Sequence, residues 1–170
     1  MIKAIVEGCE PTRGSKYSAC IDLYASENVV IMAGDTKLVG LGVAIDKFKL
    51  ADAVWYLGDC DRETLDNEVS KFKSSHYLQL MLRSSMSKHL VIANGVGVID
   101  LDYEDEIKIR LHLPHSLKPD GFYQYGINKG DKIAQIILLE HKSDLFGVST
   151  DAKRTGGFGS TNKGDKNEVS

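Results

Sequence analysis

Apolar residues recur along the chain in short runs rich in Val, Ile and Leu, at residues 2–6, 28–32, 38–45, 78–82, 90–93, 107–113 and 133–140. Several runs alternate with polar positions, most clearly where Ile107, Ile109 and Leu111 are interleaved with Lys108 and Arg110. A period of two places one set of side chains on each face of a strand. Gly, Asp and Asn separate the runs and supply turns. Many short strands with little helix predict an all-β sandwich or barrel. One stretch has another period: Leu65, Val69 and Phe72 are spaced four and three apart, and Asp61 stands where an N-cap belongs. That spacing predicts a short amphipathic helix over 61–73.

With 170 residues the chain has the length of one domain. From residue 151 it turns glycine-rich and then charged, a composition that buries no core. The expected organisation is a β-domain over 1–150 and a flexible C-terminal arm over 151–170. The formal net charge of -3 argues against a broad grip on nucleic acid, which requires clustered Lys and Arg. No basic stretch with a following apolar segment opens the chain, and no apolar run reaches the roughly 18 residues of a membrane span. A cytoplasmic protein is expected, or one in a host's cytoplasm if the source is viral, neither secreted nor in a membrane. Cys9, Cys20 and Cys60 are odd in number and form no C-x-x-C pair, so neither a disulfide framework nor a zinc knuckle is expected. His112 and His115 stand three apart in or after a strand, where they should not converge on a metal.

Chemistry gathers in five islands: SACIDLYA at 18–25, LRSSMSKH at 82–89, NGVGVIDLDY at 94–103, GDKIAQ at 130–135 and RTGGFGST at 154–161. Alone, each has a plain structural reading as a turn, a strand end or a linker. No P-loop string occurs. In this order and spacing they resemble the five signature motifs of the homotrimeric dUTPase family, over residues 12–161 with one interruption.

The resemblance implies a jelly-roll β-sandwich that cuts dUTP to dUMP and pyrophosphate. It assigns Asn94, Gly97, Val98 and Ile99 to a hairpin that receives uracil and deoxyribose. Tyr103 would lie under the sugar and reject a 2′-hydroxyl. Asp100 matches the general base, which takes a proton from the attacking water. Arg83, with its planar fork, and Ser84 and Ser85, at what reads as the start of a short helix, would hold phosphate. Gln135 would donate to the α-phosphate, and Lys108 belongs with the substrate contacts. Asp22 would reach a phosphate-bound Mg²⁺ through water. In the arm, Phe158 would stack on uracil, and Gly157 and Gly159 would let the backbone wrap the phosphates. Register gives the γ-phosphate to Lys153, side-chain chemistry gives it to Arg154, and both stay in the set.

The chain departs from the family pattern at several points. Cys20 and Asp105 stand where the family has Gly, Leu82 where it has Pro, and Lys132 where it has Arg. Residues of about 49–77 form an insertion in a connection that is short in the family. The helix falls within it, and it is expected to pack on the outside of its own subunit and to offer a face to a protein partner. The resemblance further implies a homotrimer with shared sites: the phosphate residues from one subunit, the hairpin from a second, the arm from a third. A dCTP deaminase of the same fold is the nearest rival, but Arg110 occupies the position of its catalytic glutamate.

Overall fold

The computed structural model describes residues 1–55, 61–115 and 123–148. The arm with Lys153, Arg154, Phe158 and Gly159 lies outside them. Twelve strands occur among the described residues: β1 (Ile2–Ala4), β2 (Thr12–Arg13), β3 (Ile21–Tyr24), β4 (Val29–Met32), β5 (Thr36–Gly40), β6 (Val43–Ile45), β7 (His76–Leu82), β8 (Val91–Ile92), β9 (Gly97–Asp100), β10 (Lys108–His112), β11 (Gln124–Ile127) and β12 (Lys132–Glu140). All their pairings are antiparallel. The largest sheet has the order β2-β3-β12-β7-β9, a second has β5-β10-β8, and β1-β6 and β11-β4 form two-stranded ribbons.

Alternation along the strands sorts their side chains. On β10, Ile109 and Leu111 are buried and their neighbours partly exposed, as the period of two requires. Leu23, Leu80, Ile133 and Ile136 from the five-stranded sheet meet Val39, Ile109 and Leu111 from the three-stranded one in a single core, with Ile31 and Ile127 from a ribbon. Burying each such side chain contributes roughly 1.5–3 kcal/mol. β12 breaks the rule once. Its register against β3 slips between Lys132 and Ala134, and Ile133 and Ala134 are both buried. That bulge resets the pleat and leaves Gln135 on the face opposite the core.

The run at 38–45, read as one strand, is two. Gly42 breaks it at φ +61, and a Cβ there would come within 2.6 Å of Cys9. Only glycine fits both the conformation and the contact.

Two α-helices are present among the described residues, one more than the sequence pattern suggests. α1 (Lys47–Trp55) begins where Asp46 accepts from the Lys49 backbone N–H at 3.3 Å. α2 (Arg62–Ser75) is capped as expected, with Asp61 accepting from the Thr64 N–H at 2.8 Å. Val69 and Phe72 pack against the core. α2 ends at His76 in extended conformation and passes without a loop into β7. The Phe72 and His76 rings stack at 4.1 Å across that junction. Lys47 of α1 pairs with Glu104, which ties the start of α1 to the segment after β9.

Candidate functional site

Three of the five islands meet on the core-averted face of the large sheet. In β3, Leu23 points into the core and Asp22 points away, 7% exposed. Gln135 on β12 is the direct partner of Asp22 across the ladder. Arg83 follows β7, and its backbone N–H donates to the Ile133 carbonyl at 3.1 Å. Its Nε lies 3.2 Å from Asp22 Oδ1, and Lys132 Nζ donates to Asp22 Oδ2 at 3.3 Å. Lys132 also sits 5.6 Å from the Tyr24 ring centre. Hydrogen bonding to Asp22 first, and to Tyr24 second, holds the Lys132 ammonium above its ordinary pKa. Such partly exposed pairs contribute little to stability. They do keep two cations and an amide poised in one place, which is what a polyphosphate requires.

Ser84 and Ser85 are exposed and lead into a single 3-10 turn, Met86–Lys88. The sequence reading gave them the start of a short helix. One turn offers hydroxyls and N–H groups but little macrodipole, because few peptide units align.

The fit to Mg²⁺ rests on the donor set. No group of three His, Cys, Asp or Glu side chains that could cage a metal occurs among the described residues. A single buried carboxylate beside phosphate-seeking cations suits an ion held mostly by substrate oxygens and water.

The third island forms a separate cleft of about 140 Å³, lined by Asn94, Gly97, Val98, Ile99, Tyr103 and Lys108 among others. These are the residues expected of the hairpin. Gly97 abuts Leu80, and a Cβ at Gly97 would lie 2.9 Å from the Leu80 Cβ. Tyr103 is buried, and its hydroxyl donates to the Glu106 carbonyl at 3.2 Å, which fixes the ring against the cleft. Lys108 Nζ lies 3.7 Å from Glu106 Oε2. Arg110, passed over as a binding residue, also lines this cleft. It shares a face of β10 with Lys108, so the period of two carried the signal. No carboxylate is among the described residues lining the cleft.

Asp100 stands apart from both clusters. It ends β9 on the exposed face and lines a wider groove of about 650 Å³ with Asp102, Tyr77, His141, Ser143 and residues of α2. The β7–β9 register pairs Asp100 with Tyr77. Arg83 lies six residues beyond Tyr77 on the same line of chain, roughly 20 Å away at about 3.3 Å per residue. Within one chain, therefore, Asp100 and Arg83 do not reach a common ligand atom. Lys73 and His141 beside Asp100 were beyond sequence reasoning, because only the pairing of β7 with β9 on one side and with β12 on the other brings them there. His112 and His115 do not converge: His112 Nδ1 lies 3.1 Å from Thr36 Oγ1, and His115 packs over Gly34.

A family model described as dUTPase matches residues 69–162. The deoxyuridine 5'-triphosphate nucleotidohydrolase of Debaryomyces hansenii is 32% identical over 159 residues, covering 90% of this chain and 80% of that protein. The enzyme of the same name from Saccharomyces cerevisiae is 30% identical over 156 residues, covering 89% and 85%. Among solved structures, a dUTPase from Streptococcus mutans superposes with a TM-score of 0.55 at 23% identity, over 81% of this chain and 89% of that one. A variant dUTPase from phage phi11 of S. aureus, described as coordinating a structural Mg(II) ion, reaches 0.57 at 20% identity over 94% and 97%. At these identities the solved structures speak for the fold.

Proposed function

The chain belongs to the dUTPase family, and we propose that it works as a homotrimer whose active sites are each assembled from several subunits. It hydrolyses dUTP to dUMP and pyrophosphate, which keeps uracil out of DNA and supplies dUMP for thymidylate. The observation that carries the shared site is the roughly 20 Å of β7 between the partner of Asp100 and Arg83. A base and a phosphate clamp that act on one triphosphate must come together, and two chains supply what one cannot. Leu145, Phe146 and Val148 are each at least 80% exposed at the end of the described chain, an apolar run suited to burial against a neighbour.

In this reading the hairpin cleft takes the uracil and sugar, with Tyr103 fixed beneath. Arg83, Gln135 and Lys132 of another subunit hold the phosphates, with Ser84 and Ser85 at their edge. Asp100 takes a proton from the water that attacks the α-phosphorus in line with the leaving pyrophosphate. Arg83 and Lys132 stabilise the charge that grows on that leaving group. Mg²⁺, when bound with the substrate, would neutralise the triphosphate, and Asp22 is the carboxylate to hold it through water. From the arm, Phe158 and Gly159 cover the base and backbone of the ligand, and Lys153 or Arg154 takes the γ-phosphate. The compartment fitting this activity is the cytoplasm, or a host's. The insertion's partner-facing role draws only on the charged outer row of α2, which has no exposed large apolar side chain among the described residues.

The test is pyrophosphate release from each dNTP and from UTP, with and without Mg²⁺, by the wild type and Asp100→Asn. The amide keeps the shape but cannot take the proton, so turnover of dUTP should fall by about 10²–10⁴. Titration with a non-hydrolysable dUTP analogue should still show binding. Near-wild-type turnover by the variant sinks Asp100 as base.

A further inference from the structure

The insertion borders the catalytic carboxylate. Ser70, Lys73 and Ser74 from α2 form one wall of the groove whose other wall carries Asp100 and Asp102. At about 650 Å³ the groove is in the size range of ligand pockets, roughly 300–1,000 Å³. We propose that Lys73 is a substrate-binding residue of the hydrolysis, contacting the α-phosphate of dUTP from the side of the subunit that supplies Asp100. The inference rests on the reading of Asp100 as base.

The argument is electrostatic and geometric. A water attacking the α-phosphorus from Asp100 brings that phosphate to the mouth of this groove. A triphosphate arriving there is a polyanion, and a cation on the groove wall favours its binding. Lys73 is the Lys or Arg side chain among the described residues of the lining. The hydroxyls beside it are committed to their own helix, Ser70 Oγ donating to the Asp66 carbonyl at 2.8 Å and Ser74 Oγ to the Lys71 carbonyl at 2.9 Å. Lys71, two residues back, pairs with Glu68. Lys73 makes no hydrogen bond or salt bridge among the described residues. Its charge is nonetheless felt at the hairpin's end. The Glu104 carboxyl lies below its ordinary pKa chiefly through the hydrogen bond from Lys47, with a smaller contribution from Lys73. Because α2 runs straight into β7, and β7 pairs with β9, the backbone at Lys73 is held in fixed relation to Asp100, and the flexible side chain reaches from there into the groove.

A purely structural role is available too, since a cation in the last turn favours a helix. Steady-state kinetics of the full chain separate the two. Lys73→Gln should lower kcat/KM for dUTP by roughly tenfold to a hundredfold, the effect of a lost charge-assisted contact. It should weaken inhibition by dUMP, which retains the α-phosphate, and leave inhibition by deoxyuridine unchanged. Lys73→Arg should recover most of the loss, and Lys71→Gln should behave as wild type. Melting temperatures within a few degrees of wild type exclude a folding defect. Wild-type kinetics and dUMP inhibition in Lys73→Gln, with Asp100→Asn inactive, overturn this inference alone. An active Asp100→Asn removes the catalytic reading and this inference with it.

Discussion

Gly97 on β9 pairs with Leu80 on β7, and a methyl group there would meet the Leu80 Cβ at 2.9 Å. A Cβ cannot rotate aside, so Gly97→Ala must push the hairpin off the sheet. Overpacking of this kind costs roughly 1–3 kcal/mol. Thermal unfolding should register a drop of several degrees, and KM for dUTP should rise because the cleft narrows; an unchanged melting temperature would show that the hairpin yields freely. At the γ-phosphate, Arg154→Ala should cost roughly tenfold to a hundredfold in kcat/KM, since a planar fork holds phosphate better than a point charge. Inhibition by dUMP, which has no γ-phosphate, should be unmoved; if Lys153→Ala shows the loss instead, register decides over chemistry. Motif spacing names side chains of this kind as candidates. It does not name Arg110 and Lys73, since their roles come from a face of a strand and a neighbour across a ladder.

Helix α2 is the element on which the groove depends, and its start is held by Asp61. The hydrogen bond from the Thr64 backbone N–H keeps the Asp61 carboxyl below its ordinary pKa. A depressed carboxylate stabilises the fold above its unfolded pKa of about 3.9 and loses that contribution as pH falls through the folded value. Helix content by circular dichroism should therefore show a step below about pH 4. Asp61→Ala should abolish that step and loosen α2 at neutral pH; a step that survives must come from another group. Strands with clean alternation, such as β10, could be read from the sequence. Two strands without it were passed over: β11 has only Tyr125 and Ile127 to mark it, and β3 puts Asp22 beside Leu23. α1 was missed because its cap, Asp46, follows directly on the β6 strand and reads as a turn.

For the molecule as a whole, the shared site makes a quantitative demand. Asp100→Asn and Arg83→Ala chains should each be inactive alone, yet mixtures refolded together should regain activity. Random assembly into trimers rebuilds roughly a quarter of the sites, because a site is whole when its hairpin comes from one variant and its clamp from the other. Light scattering should report three copies, and the absence of any recovered activity, with mixed trimers present, would place both residues in one chain's site. Assembly left little trace in composition; what supports the proposed sharing is the β7–β9 register, which keeps Asp100 away from Arg83. The bulge in β12 carries a further consequence, for genetics. Ile133 has no partner in the β3 ladder, while Lys132, Ala134 and Gln135 pair with Tyr24, Leu23 and Asp22. Loss of codon 133 would leave those three facing as they do now, at the cost of a hole in the core and of the carbonyl that anchors Arg83. Loss of codon 137 would exchange the faces of the strand beyond it, turning Leu138, which packs against the core, outward.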